Sequence, residues 1–169
     1  SPKNYLEQDF EEHIEEHLVS GGYSSLDFTV YDKTLCLIPT QLVGFIKDTQ
    51  PKTFEKLELQ YGPETENKLV KRVSSEITGR GVIDVLRNGV KDRGCDFQLI
   101  YFQPKSSLNP EHKDLYKKNS FTVIRQLRYS LKNTNSIDMG IFINGIPIIM
   151  LELKNTLTGQ NHSDAEKQW

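Results

Sequence analysis

Asp138 stands fourteen residues before Glu152-Leu153-Lys154, and the chain between them is built to fold back on itself. Ile137 to Ile143 and Ile148 to Leu153 are apolar, strand-like runs. Asn144-Gly145 lies between them, the dipeptide that most strongly signals a two-residue hairpin turn. A hairpin would carry a carboxylate on one strand and a Glu-x-Lys unit on its antiparallel neighbour. Two carboxylates held by rigid strands can bind a hard divalent cation, which prefers oxygen ligands. A lysine two residues after Glu152 points to the same face of its strand. Together these groups supply a metal site, a charge clamp and a means of positioning water, the requirements for cutting a phosphodiester.

A Glu-x-Lys pair on a strand is, in most proteins, a solvated face. Here it follows Ile148-Ile149-Met150-Leu151, which shows no polar alternation and predicts a strand buried on both faces. Charged side chains in such a strand are costly unless paired, which leaves function or a structural ion pair. Register adds a condition. If Ile143 pairs with Ile146 across a two-residue turn, opposed residue numbers sum to 289. Asp138 then faces Leu151 and lies on the opposite face from Glu152, because one residue of slip reverses every side chain. A shared metal needs a sum of 290 near Asp138. The expectation is therefore one extra residue between Asp138 and Pro147, from a three-residue turn at Asn144–Ile146 or a bulge near Met139-Gly140.

The elements that would position this hairpin can be read upstream. Tyr5 to Leu18 has helical spacing at Phe10, Ile14 and Leu18, and Gly21-Gly22 stops it. Glu7 and Glu11 flank its apolar stripe, whereas Glu12 and Glu16 face away. Phe28 to Ile38 reads as two short strands about a turn at Asp32-Lys33. Thr40 to Lys47 and Thr53 to Leu59 read as helices separated by Pro51. From Pro63 a third helix buries Leu69, Val70, Val73 and Ile77. Gly79-Arg80-Gly81 interrupts it, and Val82 to Leu86 continues to Asn88-Gly89. Asp96 to Gln103 reads as a strand, Pro104 to Asn119 as a polar connection and Phe121 to Tyr129 as a strand. Asn161 to Trp169 begins a helix, with Ser163 or Asp164 as its cap.

Composition fits one domain over residues 1–169: 36% of residues are hydrophobic and 26% charged. No run is long and apolar enough for a membrane span, and the start of the chain does not read as a signal peptide. Cys36 and Cys95 lack metal-type spacing and read as buried free thiols of a reducing cytoplasm. The formal charge of −2 is wrong for a simple nucleic-acid binder, yet charge is uneven. Residues 105–132 hold seven basic and two acidic side chains, while residues 1–62 hold eleven acidic and five basic. The basic block, with Lys117, Lys118, Arg125 and Arg128, could form a DNA track beside the hairpin or simply a solvated loop. His13 and His17 have zinc-like spacing but no third ligand nearby, and read as a partly buried pair on the helix. No phosphate-binding Gly-Lys-Ser/Thr loop and no serine or cysteine nucleophile motif is present.

The order and spacing of several segments add a further reading. VLRNGVKDRGCDFQLIYFQP spans Val85 to Pro104, FTVIRQLRYS spans Phe121 to Ser130, and NSID, FINGIP and LELKN follow. This series resembles the N-terminal nuclease domain of the R (restriction) subunit of type I restriction-modification enzymes, over most of the chain. The resemblance implies a restriction-endonuclease-like α/β fold, a mixed sheet flanked by helices, with a helical elaboration between Thr40 and Asn88. It implies a PD-(D/E)xK catalytic set of Asp138, Glu152 and Lys154, with Mg²⁺, or Mn²⁺ in its place, on Asp138, Glu152 and the backbone carbonyl of Leu153. Members of that superfamily sometimes add an acidic residue from the first helix, which makes Glu11 a candidate ligand and Glu7 the next. Gln168 matches the Gln of a Gln-xxx-Tyr element whose Tyr position falls past Trp169. The implied activity is endonucleolytic cleavage of double-stranded DNA. The implied partners are the methyltransferase (M) and specificity (S) subunits, and the implied compartment is the cytoplasm. ATP would serve a motor region outside this sequence. The alternatives are a repair or recombination nuclease of the same fold, and a non-catalytic domain that docks on DNA or a subunit.

Overall fold

The computed structural model describes residues 2–103, 109–128 and 136–151, with side chains from Glu11 onward except those of residues 128, 136 and 137. Helix α1 (Pro2–Ser20) leads into strand β1 (Ser24–Leu26). Four helices follow: α2 (Pro39–Thr49), α3 (Pro51–Tyr61), α4 (Thr65–Arg80) and α5 (Val82–Asn88). A small hairpin, β2 (Val90–Asp92) and β3 (Cys95–Phe97), is followed by α6 (Pro110–Lys117), β4 (Phe121–Arg128), β5 (Ser136–Ile143) and β6 (Ile146–Leu151). The main sheet has the order β1-β4-β5-β6, with β1 parallel to β4 and the other pairs antiparallel. This is the expected mixed sheet with helices around it. No helix among the described residues is long and apolar enough to cross a membrane.

The helical elaboration forms because its prolines and apolar spacing agree. Pro39 and Pro51 occupy the first turns of α2 and α3, where a missing N–H costs nothing. Leu42, Val43, Phe45 and Ile46 of α2 then meet Phe54 and Leu57 of α3 and Leu69, Val70 and Val73 of α4 in one buried cluster. Phe97, Leu99 and Ile146 enter the same cluster, so the helices and the tip of the β5–β6 hairpin share a core. A second cluster of Tyr31, Ile38, Ile124, Leu127 and Phe142 packs on the sheet.

Several local expectations change. Phe28–Val30 is a turn of 3₁₀ helix, and Asp32 and Leu37 meet in one isolated bridge, so the predicted strand pair is absent. The strand expected over Asp96 to Gln103 reduces to Cys95–Phe97, which pairs with β2 through a turn at Arg93-Gly94. Both turn residues have positive φ, which gives a three-residue strand a tight return that periodicity does not reveal. The polar connection contains α6, whose Asn109 side chain accepts the Glu111 N–H as a cap. Cys36 is exposed and Cys95 buried, so one of the two expected buried thiols lies at the surface.

The hairpin turn itself is the most constrained point of the chain. Asn144 and Gly145 have φ of 50° and 81°, the pattern of a turn whose twist matches its strands. Unlike most hairpin tips, Asn144 is fully buried. Its Oδ1 accepts the Ser120 N–H at 2.8 Å, and its Nδ2 donates to the Leu99 carbonyl at 2.9 Å and Asn119 Oδ1 at 3.0 Å. The Gly145 carbonyl accepts the Ile38 N–H at 2.9 Å. A Cβ at position 145 would lie 2.5 Å from the Ile38 oxygen, so the approach requires glycine. Asn144→Ala strands these buried partners and places alanine at positive φ. Each stranded group costs about 1–3 kcal/mol, so urea unfolding is expected to show a loss of about 3 kcal/mol. A loss under about 0.5 kcal/mol, the scale of a neutral surface change, would show that backbone contacts alone hold the turn.

Candidate functional site

β5 is an interior strand, and it fixes where Asp138 points. Its pairs with β4 run from Phe121–Ile143 to Arg128–Ser136 with a constant sum of 264. Its pairs with β6 begin at Ile143–Ile146 and Phe142–Pro147, a sum of 289 across a two-residue turn. They then shift to Ile141–Ile149, Gly140–Met150 and Met139–Leu151, a sum of 290. The extra residue is Ile148. The parity needed near Asp138 is thus reached, but neither by a three-residue turn nor at Met139-Gly140. Pro147 sits one pair from the turn, where the N–H position points away from β5, so proline is accommodated on this edge strand, and the shift follows directly after it. Gly140 instead answers crowding, since a Cβ there would lie 3.0 Å from both Leu127 Cδ2 and Phe142 Cε2.

By the alternation of β5, Asp138 shares a face with Gly140 and Phe142, and it is half-buried. Glu152, Leu153, Lys154 and Gln168 lie outside the described residues, as do the side chains of Glu7 and Arg128. Within the described residues no group of three or more His, Cys, Asp or Glu could hold a metal ion. His13 and His17 are exposed rather than partly buried. The run Ile148-Ile149-Met150 is exposed as well, because β6 lies at the edge of the described sheet and not inside it as its composition suggested.

Glu11, which flanks the apolar stripe, is buried and is engaged by β4. Arg125 Nε donates to Glu11 Oε1 at 2.8 Å, and Gln126 Nε2 donates to Oε2 at 2.9 Å. Glu12 and Glu15 add further carboxylates at 3.7 and 3.8 Å from the Arg125 guanidinium. Burial tends to lower the Arg125 pKa. The hydrogen bond to Glu11 and the three negative charges outweigh it, and the guanidinium is held above its ordinary value. Arg125 pairs across the sheet with Met139, whereas Asp138 projects from the opposite face of β5, so Glu11 and Asp138 are not brought together. Arg125, expected on a DNA track, serves as an internal ion-pair partner. Lys118 is tied to α2, with its Nζ 3.4 Å from the Asp48 carbonyl and 3.8 Å from its carboxylate. Lys117, in the last turn of α6, is exposed.

One residue of this region escaped the sequence reading. Gln126 lies within β4 at φ 52°. In a regular strand Arg125 and Gln126 would point to opposite faces; here both reach Glu11, and Leu127 returns to the core beside Ile124. The signal was the consecutive polar pair Arg125-Gln126 between Ile124 and Leu127, which breaks period two.

The mixed sheet flanked by helices is the fold class expected of the family that the sequence resembles. Comparisons with curated proteins and with solved structures found no match. A family model described as the type I restriction enzyme R protein N terminus matches residues 4–169. That match covers nearly the whole sequence, and the chain belongs to the family of type I restriction enzyme R protein N-terminal regions.

Proposed function

We propose that this domain is the Mg²⁺-dependent endonuclease of a type I restriction complex and cuts double-stranded DNA within an assembly with M and S subunits. The observation that carries the reading is the register shift at Ile148. A sum of 290, reached at Met139–Leu151, is the one in which positions 138 and 152 would be cross-strand partners on one face. Without the bulge the same sequence would set them on opposite faces.

In this reading Asp138, Glu152 and the Leu153 carbonyl hold the cation through oxygen ligands, the donor set that Mg²⁺ prefers. A bound Mg²⁺ polarises the scissile phosphate and lowers the pKa of an attacking water. Lys154 positions that water or offsets the charge that builds on the phosphorus oxygens. Gln168 orients Lys154 or the DNA. The half-burial of Asp138 strengthens charge interactions relative to open solvent.

Asp138→Ala and Glu152→Ala should each abolish Mn²⁺ binding by calorimetry and reduce cleavage by the assembled enzyme at least a hundredfold or so. Lys154→Ala should reduce cleavage as strongly and leave Mn²⁺ binding intact, because an ammonium is not a ligand. Unchanged Mn²⁺ binding in both carboxylate variants would refute the site.

Deleting Ile148 tests the register directly. The shortened β6 should keep its turn, restore a sum of 289 beside Asp138 and lose Mn²⁺ binding, while circular dichroism still reports a folded chain. Wild-type Mn²⁺ affinity in a folded deletion variant would show that the bulge does not align the carboxylates.

A further inference from the structure

We propose that Glu11 is a positioning residue. It holds Gln126 in a left-handed kink of β4, and that kink sets the backbone and the facing side chain beside Asp138. The inference rests on the proposed nuclease reading. It assigns Glu11 a role through β4, in place of the metal ligation considered from the sequence.

The geometry starts from pairing. The β4–β5 ladder includes Arg125–Met139 and resumes at Leu127–Ile137 with the same sum, so Gln126 is the residue across from Asp138. Opposed residues on regular strands share a face, and an extended Gln126 would project its amide onto the face of Asp138. Its φ of 52° prevents this and turns Nε2 to Glu11 Oε2 at 2.9 Å, on the α1 side. A non-glycine residue in this region carries a conformational cost that its surroundings must offset. Here a buried carboxylate offsets it by accepting charge-assisted bonds from two consecutive residues of β4. Without Glu11, Arg125 keeps only the more distant Glu12 and Glu15 carboxylates and Gln126 loses its acceptor on α1, so the kink is tied to the docking of α1. Strained backbone held in place by its neighbours, across from a functional carboxylate, is a recurrent means of pre-organising a site.

The consequence is specific to backbone conformation. Glycine adopts positive φ freely, whereas valine resists it. Supporting residues behind metal ligands contribute about ten- to a hundredfold in affinity. Glu11→Ala and Gln126→Val should therefore each weaken Mn²⁺ binding by about tenfold or more. Gln126→Gly should stay within about twofold of wild type, and adding it to Glu11→Ala should restore binding toward wild type. In the metal-free protein the Asp138 amide resonance should move in Glu11→Ala and Gln126→Val, and stay near its wild-type position in Gln126→Gly. Thermal melts followed by circular dichroism confirm that each variant is folded. Asp138→Ala separates the two readings. If it binds Mn²⁺ like wild type, the metal site itself is wrong. If it loses binding while folded Glu11→Ala and Gln126→Val bind normally, or if glycine fails to rescue Glu11→Ala, the positioning role alone is overturned.

Discussion

The buried turn at Asn144-Gly145 is the contact on which the arrangement of the rest depends. A two-residue turn in water would leave the hairpin free to rock against the helices. Here the turn is sealed between α2 and the segment before β4, through Ile38, Leu99, Asn119 and Ser120. Buried polar groups are costly unless satisfied, and each hydrogen bond that satisfies Asn144 also fixes its position. Ile146, the first residue of β6, enters the helical core directly from the turn. The hairpin is thus anchored at its tip, and the open ends of β5 and β6, where Asp138 lies, inherit their placement from it.

Anchoring at the tip makes register decisive, because an error of one residue near the turn reaches Asp138 undiminished. The bulge at Ile148 directly follows Pro147 on the edge strand and leaves Ile148 without an opposed residue on β5. On the other flank of β5, Gln126 breaks the alternation of β4 without changing its pairing sum. β5 itself pairs without a bulge of its own, and the irregularities fall on its two neighbours. A straight central strand between two adjusted ones keeps Asp138 on a predictable face while moving what lies beside it.

Much of this was legible in the residues. Proline spacing and apolar periodicity located α2, α3, α4 and α5 within a few residues, because their burial is one-sided and regular. Asn144-Gly145 gave the turn, and parity alone required an extra residue near it. The site of the extra residue was misjudged because glycine was weighted for freedom, whereas Gly140 answers crowding and the extra residue falls on β6. β1 to β3 are three-residue strands, too short for a period to register. The exposure of Ile148-Ile149-Met150 was not legible, since an apolar run does not say whether neighbours exist to cover it. The Glu11–Arg125 pair joins positions 114 apart, and no local pattern announces such a contact.

The same pair gives Arg125 a role that charge counting does not reveal. A block of basic residues near a proposed nuclease site invites assignment to phosphate contacts, yet a cation's partner is settled by what packs on its strand. α1 lays Glu11, Glu12 and Glu15 around Arg125, and withdrawing that guanidinium to meet a phosphate would leave a buried carboxylate without its counter-charge. Lys118 lies near Asp48 in an exposed pair that holds it only weakly. The acidic first helix thus neutralises Arg125 of the fourth strand. Under the proposed function, a chain of net charge −2 contributes little long-range attraction for DNA. Affinity would then come from the partner subunits, and this domain would supply a set of ligands and a lysine. Such a division suits an endonuclease that must not cut on encounter: weak intrinsic attraction keeps the cleavage chemistry dependent on delivery of DNA by the assembly.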